Sequence, residues 1–107
     1  MSENQNVEWK ESWRDEYLKW IAAFANANGG TLCVGMDDKG VVVGLTAFEK
    51  HLEEIPNKIK DVLGILADVN LRSTESKHYI EIVVDHILIQ LVIKAGILPD
   101  PVVPPKS

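Results

Sequence analysis

Phe24-Ala25-Asn26-Ala27-Asn28-Gly29-Gly30-Thr31-Leu32-Cys33-Val34-Gly35-Met36-Asp37-Asp38-Lys39-Gly40-Val41-Val42-Val43-Gly44-Leu45 is the stretch whose reading decides the fold. It starts at the end of a helical pattern: Tyr17, Ile21, Phe24 and Ala25 recur at helical spacing, with Leu18 and Ala22 beside them. Asn28-Gly29-Gly30 closes that helix, because glycine tolerates the left-handed backbone of a helix end and asparagine is the next best residue. Thr31 to Met36 is rich in strand-forming residues. Asp37-Asp38-Lys39-Gly40 is a turn, and Val41 to Leu45 reads as the return strand of a hairpin.

Working outward, Val7 to Lys10 reads as a first strand. Trp9 and Lys10 alternate along it, which predicts Trp9 in the core and Lys10 in solvent. Ser12 with Asp15 and Thr46 with Glu49 resemble helix-start boxes. The second box opens a helix, broken or restarted at Pro56, whose predicted apolar face is Ile55, Ile59, Val62, Leu63 and Leu66. Val69 to Ser73 and Lys77 to Asp85 complete the strands around a turn at Thr74-Glu75-Ser76. In the last strand Tyr79, Glu81 and Val83 face one way, and Ile80, Ile82 and Val84 the other. The fold class is α/β (α+β): a single compact domain with a mixed sheet of about five strands and two main helices. His86 to Leu98 is very apolar and reads as a sixth strand, before Pro99, Pro101, Pro104 and Pro105 make an extended tail.

The 107 residues suit one domain with one modest core. Apolar residues make up 46% and charged residues 25%, ordinary values for a globular protein. No apolar run has membrane-spanning length, and residues 1–6 lack the basic and apolar regions of a signal peptide. The lone Cys33 excludes an internal disulfide and reads as a small buried residue. A cytoplasmic protein is expected. The net charge of −5 and the scattered lysines and arginines argue against a dedicated duplex-DNA binder with an overall basic footprint, and leave room for a local basic face or a basic region supplied by a partner.

Chemistry-bearing patterns are few. His51, His78 and His86 lack zinc-ligand spacing, and no P-loop or nucleophile elbow is present. Asn26, Asn28, Gly29 and Gly30 sit at a helix C-terminus, the wrong dipole end for phosphate, so their reading is structural. Trp13 and Trp20 read as rim packing of the first helix rather than as stacking platforms.

Four segments in order carry a further signal: Glu3-x4-Glu8-Trp9-Lys10-Glu11-Ser12, Ala23-Phe24-Ala25-Asn26-Ala27-Asn28-Gly29-Gly30, Val34-Gly35-Met36-Asp37-Asp38-Lys39-Gly40 and Val43-Gly44-Leu45. Together they resemble the Schlafen AlbA_2 family, whose pattern is Glu-Phe-Lys-Glu-Ser, Ala-Phe-Ala-Asn-Thr-x-Gly-Gly, Gly-Val-Asp-Asp and a later Gly-Leu. Trp9, Ala27 and Met36 are mild departures. Bacterial members are described as DNA-binding domains of transcriptional regulators. Some animal relatives are endoribonucleases that cut structured RNA with three carboxylates and a divalent cation.

The resemblance implies a nucleic-acid-binding domain. Lys10 and Lys39 are the candidate phosphate contacts, and Lys10 reads equally well as a plain solvated lysine. The alternatives to that domain are a metal-dependent ribonuclease and a non-catalytic dimerisation module. In the ribonuclease reading Glu3, Glu8 and Asp37 are both the catalytic and the metal-binding residues, and the cofactor is Mg²⁺ or Mn²⁺, since hard cations prefer oxygen ligands. The residues read by themselves also allow Glu8 and Asp37 to be an acidic strand edge and an acidic turn facing water. A homodimer is expected, because animal relatives fuse two such lobes in one chain.

The family-like domain is expected to span residues 3–85, with 86–107 as an atypical tail. After Asp85 the family continues Pro-Tyr-x-x-Pro, Tyr-Lys-Gly and Tyr-x-x-Arg-x-Gly-Ser, and none of this is present. Reading the last base of each codon with the first two of the next, permitted codons can restore Pro-Tyr-Pro, Ser-Tyr-Lys-Gly and Arg-Ser-Gly-Ser-Thr. Residues from about His86 are therefore expected to be a frame-shifted terminus, which would remove the arginine-bearing segment and reduce activity.

Overall fold

A computed structural model describes residues 6–90 except residue 89. Glu3 and nearly all of the apolar and proline-rich tail lie outside the described residues. Four strands form one mixed sheet: β1 (Val7–Lys10), β2 (Gly30–Val34), β3 (Asp68–Thr74) and β4 (Lys77–Val84), in the order β1-β2-β4-β3. β1 and β2 run parallel and are joined by a helical crossover, as parallel neighbours must be. β3 and β4 form an antiparallel hairpin, and β4 pairs antiparallel with β2.

The helices α1 (Leu18–Asn26) and α2 (Phe48–Lys58) pack with the buried face of the sheet. That face carries Leu32, Val34, Ile80, Ile82 and Val84, and it meets Leu18, Ile21, Phe24 and Ala25 of α1 and Ile55 of α2. The alternation expected in β4 holds: Ile80, Ile82 and Val84 are buried, whereas Tyr79, Glu81 and Val83 are half-buried on the other face. Burying each large aliphatic side chain contributes roughly 1.5–3 kcal/mol, so this layer contact is the main source of stability. No helix among the described residues is long and apolar enough to cross a membrane.

The return strand expected over Val41 to Leu45 does not form. A single bridge, Met36 to Val42, is all that remains of that hairpin, so the sheet has four strands rather than about five. Val43 N–H and Gly44 N–H both donate to Gly35 O, at 2.8 and 3.1 Å, which folds the segment into a loop instead of a ladder.

The helix starts also differ. A 3₁₀ turn, Asp15–Tyr17, precedes α1, and Arg14 rather than Ser12 flanks it. Ala47, with φ +55°, stands at the cap of α2 in place of Thr46. Neither start has a side-chain cap.

Pro56 does not break α2. Proline cannot donate to the carbonyl one turn back, but the helix runs through it and then widens into a π-helical turn, Ile59–Leu63. The wider turn rotates the apolar stripe. Ile59 stays buried, while Val62 is 66% exposed and Leu66 is exposed as well. Past β4, Ile87, Leu88 and Gln90 are helical, so the expected sixth strand does not begin there.

Candidate functional site

Register decides which way β1 points its side chains. Glu8 pairs with Leu32, Trp9 with Cys33 and Lys10 with Val34. Leu32 and Val34 lie on the helix-covered face, so Glu8 and Lys10 lie there too. The expected placement of Trp9 and Lys10 is thus reversed. Trp9 is 38% exposed on the opposite face, where its ring abuts Gly40 of the Asp37–Gly40 turn. Because β1 is an edge strand, its inward positions lie at the rim of the helix layer, where a polar side chain keeps contact with water.

Lys10 makes a compact set of contacts there. Its ammonium lies 3.3 Å from Glu8 Oε2, and both side chains are about three-quarters covered. It also stands over the Tyr17 ring at 4.9 Å and the Trp20 ring at 5.5 Å. Trp13 packs edge-on to Tyr17, and Trp20 is tilted against Phe24, both with ring centres 6.2 Å apart. Trp13 and Trp20 are partly buried against the core, in line with rim packing. Trp13 Nε1 also donates to Asp15 Oδ1 at 2.9 Å, and Asp15 receives Lys58 Nζ at 2.8 Å. These bonds, from Lys58 first and Trp13 second, hold the Asp15 carboxyl below its ordinary range.

Asp37 organises the turn after β2. Its Oδ1 accepts from Lys39 N–H and Val41 N–H, each at 2.9 Å. Its own N–H donates to Val41 O, and Gly40 N–H donates to Asp37 O. Just before the turn, Gly35 N–H and Met36 N–H both donate to Lys10 O, so the end of β2 is tied to the end of β1. Lys39 is thereby presented, exposed, on a pinned tip.

Of the three carboxylates, Glu3 lies outside the described residues. No three His, Cys, Asp or Glu side chains among the described residues are grouped to hold a metal ion. Glu8 is engaged by Lys10, and one oxygen of Asp37 by its own turn. A polar cleft of about 270 Å³ opens at the other end of β2, lined by Asn6, Gly29, Gly30, Thr31, Val84 and Asp85.

Cys33 is buried as expected, and burial, then the nearby Glu81 charge, pushes its thiol up. One anchor went unnoticed in the sequence. Gln90 is 5% exposed, accepts from Leu66 N–H at 2.8 Å and donates to Asp85 O at 2.6 Å. A lone glutamine in an apolar run was the only signal for it.

The family model described as Schlafen, AlbA_2 matches residues 3–99. No curated protein matches the chain. Among solved structures, the DIP2311 protein of Corynebacterium diphtheriae superposes with a TM-score of 0.63 at 20% identity, over 77% of this chain and 21% of that one. The N-terminal domain of a protein from Nitrosomonas europaea, whose description relates it to the DNA helicase RecG, superposes with a TM-score of 0.64 at 22% identity, over 80% of this chain and 66% of that one. At such identities these similarities establish the shared fold. The chain thus spans about a fifth of the first protein and about two-thirds of the second.

Proposed function

The chain belongs to the Schlafen AlbA_2 family, and from that premise we propose that it is a domain that binds nucleic acid, with DNA as its first target. Family membership carries the reading. The similarity to the N-terminal domain of a RecG-related protein supports it. On the same premise the domain belongs to a transcriptional-regulator type of protein, acts in the cytoplasm and pairs as a homodimer. β1 and β3 are the outer strands of the sheet among the described residues, and an outer strand is where another chain can add by pairing.

Lys39 is the proposed phosphate contact. It is exposed, and four hydrogen bonds centred on Asp37 fix the turn that presents it. Presenting a charge on a fixed turn lowers the ordering cost of each contact it makes. With a net charge of −5, affinity is expected to be modest and strongly dependent on salt.

Anisotropy titrations of labelled duplex DNA and structured RNA at several salt concentrations test this. Binding at low salt that weakens steeply as salt rises is the expected result. Lys39→Ala is expected to weaken it and to lower the salt slope by about 1. Absence of binding to either nucleic acid at low salt rejects the reading. Sedimentation at micromolar concentration tests the homodimer, and a purely monomeric boundary rejects it.

A further inference from the structure

We propose that Lys10 is the resident counter-cation of Glu8, positioned by the faces of Tyr17 and Trp20, and that this pair keeps divalent cations off the Glu8 carboxylate. The proposal stands on geometry independent of nucleic-acid binding. Glu8 and Lys10 are two residues apart on β1 and share one face of the sheet. Their charged atoms are 3.3 Å apart, and their side chains are only 28% and 25% exposed. The ammonium also lies within the range at which a ring face attracts a cation, on Tyr17 and on Trp20.

Each ring is itself fixed. Tyr17 is braced edge-on by Trp13, and Trp20 by Phe24 in the core. Lysine side chains normally retain several rotamers, and these contacts remove that freedom in favour of the one that meets Glu8. A divalent cation approaching Glu8 would have to displace a charge already in place, and the displaced ammonium would lose the carboxylate. Lys10 is then a positioning residue for Glu8.

The test is Mn²⁺ binding, read from the electron paramagnetic resonance signal of the free ion, on the full chain and on Lys10→Met, Lys10→Arg and Lys10→Met/Glu8→Gln. Lys10→Met is expected to gain a Glu8-dependent site, with affinity raised on the order of fivefold over the unsubstituted chain. Lys10→Arg, which keeps the charge, is expected to restore the exclusion. The double substitution is expected to return binding to the starting level. In proton NMR spectra the Lys10 Hε resonances are expected to lie upfield, shifted by the two rings, and Trp20→Leu is expected to move them back. Mn²⁺ binding in the unsubstituted chain that Lys10→Met does not tighten overturns the proposal. Equally weak binding in all four proteins also overturns it. Neither outcome bears on the nucleic-acid titrations, so the two readings fail separately.

Discussion

Replacing Gly29 with alanine is a sharp test of how the glycine pair shapes this molecule. Gly29 has φ +90°, and its N–H returns to Phe24 O at 2.8 Å to close the end of α1. A Cβ there would lie 2.7 Å from the backbone oxygen of Val84, the last residue of β4. Two costs add. The left-handed backbone costs an L-residue about 1–2 kcal/mol. The contact with a carbonyl held in the sheet forces a backbone shift costing about 1–3 kcal/mol.

The sum, roughly 2–5 kcal/mol, is a large share of the ~5–15 kcal/mol available to a small domain. Gly64→Ala isolates the first cost. Gly64 has φ +68°, but a Cβ there meets nothing within 4 Å. Urea denaturation followed by circular dichroism, with the midpoint shift multiplied by the slope, gives both values. Gly29→Ala is expected to exceed Gly64→Ala by at least about 1 kcal/mol. Equal losses would refute the packing argument, and no loss in either would refute the backbone argument too.

Two further outcomes follow from the described contacts. The Asp15 carboxyl is held below its ordinary range by hydrogen bonds from Lys58 and then Trp13, so its contribution to stability is present above the ordinary carboxylate range and lost as pH falls through the lowered value. In an NMR titration Lys58→Met is expected to raise the Asp15 pKa towards its ordinary value, and an unchanged titration would refute the assignment. Gln90→Ala leaves Leu66 N–H and Asp85 O without their side-chain partner, a loss of about 1–3 kcal/mol, with faster hydrogen exchange expected at the Leu66 amide. Unchanged protection of that amide would show that Gln90 is not its anchor.

What the sequence by itself determined was local. Ile21, Phe24 and Ala25 mark the buried stripe of α1, because helical spacing shows in any window long enough to hold two turns. The alternation of Ile80, Ile82 and Val84 with Tyr79, Glu81 and Val83 marks the two faces of β4, because a strand repeats every two residues. Asp37 to Gly40 reads as a turn from its own hydrogen-bonding residues, and the ordered motifs identify the family.

The tertiary structure decided what depends on partners distant in the chain. Whether Trp9 or Lys10 turns inward is fixed by the pairing of β1 with β2, since alternation sets that they oppose each other but not which one faces the helices. Val41 to Leu45 has the composition of a strand, yet the N–H groups of Val43 and Gly44 go to Gly35 O and that of Val41 to Asp37 Oδ1, so no ladder forms. Val62 leaves the apolar face because a π turn changes the helical repeat, a change the apolar pattern alone did not reveal. The Glu8–Lys10 pair needs both: residue identities legible on β1, and aromatic side chains of the segment leading into and along α1 that only the fold brings around the lysine.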